Sequence, residues 1–266
     1  MERDYSHQSL SVAILVVSCD AYSDLWSPFF ALLRRFWHPL PYPVHLLTNH
    51  AQPEFDGVNV IPVGDDLSWS DNLLSALSYI KEEYVILMLE DLMLCGEVNQ
   101  TLLYDAIQSA IANDAKYLRL TPSIPPDTPF NNHIGIVSRG TVYRASVVMP
   151  MFKTSHIREL LKSGENAWEF EYFGSQRSDA HDGYYSTYRN CIPHLNTVIK
   201  RVWEYRAAQT VLRLGVQPDF NKRRVMNYRE RVVWNYKLFR TRVFHLVPPQ
   251  FRRTVKEFIA GKKPSV

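Results

Sequence analysis

Apolar and polar positions alternate in blocks along the first half of the chain. Apolar runs of strand length recur at residues 11–17, 41–49, 58–63, 84–94 and 116–121. Most lack internal alternation, which is typical of strands buried on both faces of a parallel sheet. Helical patterns separate them at residues 26–37, 69–80 and 100–113. This alternation of strand and helix predicts an α/β fold with a mostly parallel sheet flanked by helices.

Local signals refine these elements. Pro62 in the third run indicates an edge strand or a strand end. Ser23 or Asp24 could cap the first helix, and Ser70 could cap the second.

The second half of the chain is less regular. A Pro/Asn-rich segment at 122–133 is long enough to be a functional loop. Residues 134–148 are predicted to form a β-hairpin that turns at Arg139 and Gly140, and residues 155–162 a helix. Residues 197–203 are predicted to form the last strand, and helices with a basic face follow.

An acidic pair, Glu90 and Asp91, interrupts the apolar run at 84–94. Two adjacent carboxylates at a strand end are costly to bury unless something pairs with them. Ligands of open α/β sheets bind just beyond the carboxyl ends of the strands. The pair could therefore hold a divalent cation that bridges to a diphosphate, because such ions prefer oxygen ligands. Alternatively, the acids cap the next helix or pair with an arginine.

Composition places the chain among ordinary globular proteins, with 266 residues of which 46% are hydrophobic. Three widely spaced cysteines, Cys19, Cys95 and Cys191, fit neither a disulfide framework nor a zinc site and favour a reducing compartment. The polar N-terminus and the absence of a long apolar window argue against a signal peptide and a transmembrane helix. We therefore expect a cytoplasmic protein.

Charge is distributed unevenly along the chain. Residues 222–263 contain 13 Lys/Arg and two acids, which leaves 17 basic and 25 acidic residues elsewhere from totals of 30 and 27. A negatively charged body thus carries a positively charged tail, which indicates a polyanionic partner for the tail.

Seven spaced segments carry a family resemblance. They are S-C-D-A-Y-S-D-L-W after the first strand, L-L-T-N at 46–49, W-S-D-N-L at 69–73, L-E-D-L at 89–92, R-A-S-V-V-M-P-M-F at 144–152, W-E-F-E at 168–171 and V-I-K-R-V-W at 198–203. In this order the chain resembles bacterial GT-A-fold glycosyltransferases that act in capsule, O-antigen and related surface-polysaccharide synthesis. The resemblance covers about residues 11–205.

The resemblance implies a GT-A-like catalytic domain at residues 1–205 and a helical, basic C-terminal extension at 206–266. It also implies a nucleotide-sugar donor whose diphosphate is held by a divalent metal, Mn²⁺ or Mg²⁺, on an acidic motif. That motif would be Glu90–Asp91, with Asp91 as the metal ligand. Met88 stands where a strict D-x-D motif has its first Asp, so a metal-independent enzyme is the alternative.

The segment W-E-F-E offers a catalytic base. An inverting transferase needs a carboxylate to take the proton of the acceptor hydroxyl, and such help is worth roughly 10²–10⁴ in rate. Glu169 and Glu171 point in different directions in either a strand or a helix, so one of them is expected in the site. Related sequences favour Glu171, and Trp168 could stack on a sugar. Alternatively, Trp168 and Phe170 are core residues and both acids are solvated.

Further donor-site residues follow from the resemblance and from their positions at strand ends or a helix start, where capping and turn formation are the alternatives. They are Asp20, Tyr22, Asn49, Trp69, Ser70 and Asn72. Arg177, just after W-E-F-E, could neutralise a phosphate of the leaving group or of the acceptor, and an exposed arginine without such a role is the alternative. Arg119 lies inside a strand and is expected to need an acidic partner. His181 and His194 are weaker candidates for a third metal ligand.

The C-terminal tail has the pattern of a helix that lies on anionic lipid. Phe251, Val255, Phe258 and Ile259 fall at helical spacing beside Arg252, Arg253 and Lys256. A solvated or oligomer-forming helix is one alternative. Nucleic acid, suggested by Trp234, Tyr236 and Phe239 among basic residues, is another, but without a recognisable nucleic-acid-binding fold we expect no nucleic-acid partner.

These observations predict a glycosyltransferase that moves a sugar from a nucleotide-sugar to a hydroxyl of a glycan or lipid-linked glycan, at the inner face of the plasma membrane. A nucleotidyltransferase is disfavoured because the turn after the first strand has no glycine. The remaining rival is a non-catalytic glycan- or nucleotide-binding protein with the same fold.

Overall fold

A computed structural model describes residues 10–122, 125–244, 246–247, 251–252 and 255. In these ranges the strands are β1 (Val12–Val17), β2 (Val44–Thr48), β3 (Val58–Pro62), β4 (Tyr84–Leu89), β5 (Leu92–Leu94), β6 (Tyr117–Arg119), β7 (Thr128–Pro129), β8 (Ile134–Ile136), β9 (Pro150–Lys153), β10 (Tyr184–Thr187), β11 (His194–Asn196), β12 (Val198–Ile199) and β13 (Val202–Trp203). The α-helices are α1 (Trp26–Phe36), α2 (Trp69–Leu77), α3 (Gln100–Ala112), α4 (Thr154–Leu160), α5 (Ala167–Glu169), α6 (Ser175–Ser178), α7 (Tyr205–Arg213) and α8 (Tyr228–Phe244). A 3₁₀-helix (Asp20–Leu25) precedes α1, and a π-helical turn (Phe170–Gly174) joins α5 to α6.

Nine of these strands form one sheet in the order β3-β2-β1-β4-β9-β6-β10-β8-β7. The first four are mutually parallel, β9 is antiparallel to both of its neighbours β4 and β6, and β10 is parallel to β6. Most strands therefore point the same way, and β9 reverses direction in the middle of the sheet. This confirms the predicted fold class, an α/β fold with a mostly parallel sheet flanked by helices.

Both faces of the sheet are covered, which explains the unbroken apolar runs. On β1, Val12, Ile14 and Val16 belong to one hydrophobic cluster, which includes residues of α1 and α3. The alternate residues of β1 belong to a second cluster, which includes residues of α2 and α4. Strand β3 lies at the edge of the sheet, as Pro62 predicted.

Three local predictions were wrong. Residues 134–148 do not form a hairpin, because β8 pairs with β10 and β7. Helix α2 is capped by Ser68, whose side chain accepts the backbone N–H of Asp71, and not by Ser70. Helix α1 has Leu25 at its N-cap and no side-chain cap, so neither Ser23 nor Asp24 caps it.

The last predicted strand is a short hairpin, in which β12 and β13 flank Lys200 and Arg201, both with positive φ. Helices α7 and α8 follow, while most of the proposed lipid-binding helix beyond residue 250 lies outside the described residues. The division at residue 205 remains a prediction. Among the described residues, no helix combines the length and the apolar character needed to cross a membrane.

Candidate active site

The polar strand ends predicted from sequence meet at one edge of the sheet. Because β1, β2 and β4 are parallel, the residues that follow them, Asp20, Asn49 and the pair Glu90–Asp91, all lie at their carboxyl ends. Strand β9 is reversed, so its first residue, Pro150, lies at the same edge. We call this the carboxyl edge and the opposite one the amino edge.

Asp20 and Asn49 join the ends of β1 and β2. Asp20 Oδ1 accepts the backbone N–H of Asn49 at 3.0 Å, and Asp20 Oδ2 accepts those of His50 and Ala51, each at 3.0 Å. The Asn49 side chain in return accepts the backbone N–H of Asp20 at 3.0 Å. Burial alone would raise the pKa of Asp20, but these three N–H donors outweigh it and hold the pKa below its ordinary value. Asp20 therefore connects the end of β1 to the turn after β2 and stabilises that turn.

Glu90 and Asp91 form an acidic pair at the end of β4, in which Glu90 is buried and Asp91 is partly buried. The Ser18 hydroxyl donates to the Glu90 carboxylate and itself accepts Trp26 Nε1 at 2.7 Å, which fixes Glu90. Burial raises the pKa of both acids, and the neighbouring Asp91 charge raises that of Glu90 further. The backbone of Asp91 is held by Thr197, whose N–H donates to Asp91 O at 2.7 Å. Shifts of this kind cluster at functional sites.

Arg223 supplies a buried positive charge that acts on this pair, and it was missed from sequence, where it counted as part of the tail. It donates to both carboxylate oxygens of Asp24, at 2.9 and 3.0 Å, and its guanidinium lies 4.4 Å from the centre of the Tyr22 ring. Its charge acts on both acids of the Glu90–Asp91 pair, although its ion pair is with Asp24. Arg223 is 199 residues from Asp24, so no local signal could reveal it.

Two exposed cations lie beside this buried one. Lys222 Nζ donates to Ser23 Oγ at 2.8 Å, and the charge of Arg201 acts on Tyr22. The positive residues Arg201, Lys222 and Arg223 therefore border the end of β1 next to the acidic pair.

The residues at the start of α2 also lie at the carboxyl edge. The backbone N–H of Ser70 donates to Glu165 O at 3.1 Å, and the Trp69 ring packs on Phe170 with centroids 5.3 Å apart. Asn72 Nδ2 donates to Asp66 Oδ1 at 2.6 Å. The Trp69–Phe170 contact joins α2 to the W-E-F-E segment, whereas Ser70 and Asn72 contact the residues before that segment and before α2.

Three predicted donor-site residues have buried polar atoms without a hydrogen-bond partner among the described residues. They are Asn49 Nδ2, Trp69 Nε1 and Ser70 Oγ. Leaving a buried polar atom unpaired costs about 1–3 kcal/mol, so such atoms are unusual in a folded protein. Of the seven such side-chain atoms among the described residues, these three lie at the end of β2 and the start of α2, where a polar ligand would satisfy them.

The two acids of W-E-F-E have different environments. Glu169 closes a capping box with Asn166 at the start of α5. Glu171 Oε1 accepts the Ser146 hydroxyl at 2.8 Å and the backbone N–H of Val147 at 2.9 Å, just before β9 starts at the carboxyl edge. Ser146 was not identified from sequence.

The two aromatic residues of the segment differ in exposure. Trp168 is 74% exposed and so is not a core residue, whereas Phe170 is fully buried.

Arg177 and Arg119 are engaged by protein groups. Arg177 donates to both oxygens of Glu165, at 2.7 and 2.6 Å, so its role toward phosphate remains a prediction. Arg119 is 2% exposed and donates to Tyr143 O at 2.7 Å.

The histidine candidates are placed differently from the acidic pair. His181 lies at the amino edge, in the turn before β10, and is grouped with His156 and Glu159. In the described ranges this is the one group of three or more His, Cys, Asp or Glu residues close enough to share a metal ion, and Asp91 is not part of it. His194 Nδ1 lies 2.9 Å from Ile192 O.

The acidic pair fits a hard divalent cation. Mg²⁺ is commonly held by one or two carboxylates together with substrate phosphates and water. Glu90 is already bonded by Ser18, which makes Asp91 the better direct ligand. The donor set at the end of β4 is therefore compatible with the Mn²⁺ or Mg²⁺ predicted from sequence.

Comparison with known proteins does not assign a family. No protein-family profile and no curated protein matches the chain. One matching solved structure is the crystal structure of S. aureus TarS 1-349, which is 11% identical with a TM-score of 0.46. The match covers 69% of this chain and 59% of the TarS chain, so this chain spans about three fifths of the length of that structure. At this identity and TM-score the likeness does not bear on activity or substrate.

Proposed function

We propose that this protein is a glycosyltransferase that moves a sugar from a nucleotide-sugar to a hydroxyl of a surface glycan or its lipid-linked precursor. The observation that carries the proposal is the Glu90–Asp91 pair at the carboxyl edge, whose pKa values are both raised by burial, within the region that resembles capsule and O-antigen GT-A enzymes. The unpaired polar atoms of Asn49, Trp69 and Ser70 at the same edge support a polar ligand there.

We assign the donor to the part of the carboxyl edge that is formed by the ends of β1 and β2 and by the start of α2. Tyr22, whose ring packs against the Arg223 guanidinium, offers an aromatic surface on which the nucleotide base can stack. Asn49, Ser70 and Asn72 offer hydrogen bonds to the ribose and phosphates. Asp20 contributes indirectly, because it fixes the turn after β2.

The diphosphate is assigned to the junction of the acidic pair and the cations. Asp91, supported by Glu90, would hold Mn²⁺ or Mg²⁺, which neutralises charge on the departing diphosphate when bound. Arg201 and Lys222 are exposed and can turn toward a phosphate, so a donor could also be held without metal.

Glu171 is assigned as the base of a single displacement with inversion. It takes the proton of the acceptor hydroxyl as that oxygen attacks the anomeric carbon, while the sugar–phosphate bond breaks on the opposite side. Bonds from Ser146 and Val147 to Oε1 orient the carboxylate. Orientation and preorganised electrostatics supply most of the remaining rate enhancement. Glu169 is the second candidate, and Trp168, being exposed, could contact the acceptor.

The C-terminal extension is proposed to dock on an anionic membrane surface. Helix α8 exposes Tyr236 and Phe239, and Lys237 and Arg240 stand next to them in the sequence. Mixed aromatic and basic residues on an exposed helix favour anionic headgroups. Docking would bring a cytoplasmic enzyme to a lipid-linked acceptor.

A panel of nucleotide-sugars, tested by thermal shift with and without Mn²⁺ or Mg²⁺, examines the proposal directly. A ligand that binds only the folded state raises the melting temperature according to its concentration and affinity. We expect one nucleotide class to stabilise the wild type in a metal-dependent way, and Asp91→Asn to lose that shift. The donor so identified is then used to measure transfer and donor hydrolysis.

The outcomes separate the alternatives. A shift that needs neither metal nor Asp91 points to the cationic route through Arg201 and Lys222. A shift without turnover supports the non-catalytic binding protein. The absence of any shift contradicts the proposal.

A further inference from the structure

The amino edge carries a second cluster of ionisable side chains, outside the candidate active site. His156 and Glu159 are three residues apart on α4 and therefore share a face of the helix. His181 meets them from the turn before β10. The imidazole rings of His156 and His181 pack edge to face with centroids 4.7 Å apart. We call these three residues the amino-edge cluster.

The spacing of the ligand atoms fits a tetrahedral metal. His156 Nδ1 is 3.2 Å from Glu159 Oε2, and His181 Nε2 is 3.6 Å from Glu159 Oε1. All three ligand atoms lie within 4.8 Å of one another. Zinc bonds of about 2.0–2.2 Å to nitrogen and oxygen place tetrahedral ligand atoms roughly 3.3–3.5 Å apart. Small side-chain rotations are therefore enough to close the cluster around one ion.

The surroundings hold His156 in a ligating orientation. His156 is 3% exposed, and its Nε2 lies 2.7 Å from the Tyr184 hydroxyl. That bond occupies one ring nitrogen and leaves Nδ1 facing Glu159. A second hydrogen bond of this kind is typical of metal-binding histidines. Tyr184 is in turn covered by the Arg144 guanidinium, 3.9 Å from its ring centre.

We propose that His156, Glu159 and His181 form a Zn²⁺ site at the amino edge of the sheet. Two imidazoles and one carboxylate favour zinc over Mg²⁺, which prefers oxygen ligands. Glu159 is exposed, so the ion can enter from solvent and retain a water as its fourth ligand. The site would tie α4 to the start of β10, and it is independent of the proposed transferase activity.

Lys116 competes with the metal. Its Nζ lies 3.3 Å from His181 Nδ1, and because an ammonium group only donates, a neutral His181 carries its proton on Nε2. Zinc binding at Nε2 moves that proton to Nδ1, and Lys116 must then turn away toward solvent. Removing the Lys116 charge should therefore strengthen zinc binding.

The test measures zinc bound to the full chain after treatment with a chelator, by metal analysis and titration calorimetry. Wild type should bind one zinc more than Glu159→Gln and His181→Gln, with affinity reduced at least about tenfold in either variant. Lys116→Met should bind a few-fold more tightly. Glu159 is exposed, so Glu159→Gln is expected to fold normally, which circular dichroism verifies.

Zinc, but not Mg²⁺ at the same concentration, should raise the melting temperature of the wild type and not that of His181→Gln. The difference between wild type and variants excludes zinc held elsewhere, for example by Cys19 or Cys95. Equal zinc binding by wild type and His181→Gln overturns the proposal, and so does weaker binding by Lys116→Met.

Discussion

The two edges of the sheet hold their charges in contrasting ways. At the carboxyl edge, Glu90 is 7% exposed beside Asp91, and burial raises the pKa of both. At the amino edge, Lys153 lies between Glu83 and Asp114, which are both more than half exposed. The carboxyl edge thus keeps charges away from water, including the ion pair of Arg223 and Asp24, whereas these ion pairs at the amino edge are in contact with water. Buried groups with shifted pKa values are typical of functional sites, whereas exposed ion pairs contribute little to stability.

The largest expected effect concerns activity at the carboxyl edge. Glu171→Gln removes the proposed base while keeping a similar shape, so kcat should fall about 10²–10⁴-fold. The matched change at the amino edge, Glu83→Gln, should leave kcat unchanged. Initial rates of sugar transfer measure both. A Glu171→Gln variant with wild-type kcat would move the base to another residue.

The next effect concerns stability. Arg223→Met leaves Asp24, whose side chain is 2% exposed, buried without its partner, and should lower the free energy of unfolding by about 3–5 kcal/mol. Lys153→Met breaks a partly exposed pair and should cost less than about 1 kcal/mol. Urea unfolding of the two variants compares a buried and a surface ion pair on one sheet. Equal losses would contradict the contrast between the edges.

The smallest effect depends on pH. The folded-state pKa of Asp20 lies below its ordinary 3.8, so its contribution to stability is present above about pH 4 and is lost as pH falls through the folded pKa. Asp20→Asn should therefore lower stability by about 1–2 kcal/mol at pH 7, with the difference from wild type narrowing in acid. Melting temperatures from pH 7 to pH 3 measure this. Asp182→Asn, an exposed acid near the amino edge, serves as control, and a constant difference for Asp20→Asn contradicts the prediction.

The sequence predicted the parallel half of the sheet because its signals are local and strong. Strands β1 and β4 are six-residue apolar runs, and the intervening helices carry regular apolar faces. Parallel strands end at a common edge, so the approach of Asp20, Asn49 and Asp91 followed from the strand order along the chain.

The features that the sequence did not predict depend on contacts between residues that are far apart along the chain. Strand β8 has three residues and pairs with β10, about 50 residues away, so its apolar character suggested a hairpin that does not exist. Arg223 reaches Asp24 across 199 residues, and Ser146 reaches Glu171 from the loop before β9. Ser68 and Ser70 are both acceptable caps by residue type, and the choice between them depends on where the helix begins.

Strand β9 also determines when β4 and β6 can be joined in one sheet as the chain is synthesised. It is the partner of both β4 and β6, so each lacks that neighbour until about residue 153 has left the ribosome. A nascent chain that ends after β6 presents backbone groups of β4 to other chains, and open strand edges promote aggregation. Arrested chains of increasing length should therefore need less chaperone protection once β9 is available, and less again once β10 has paired with β6 and β8.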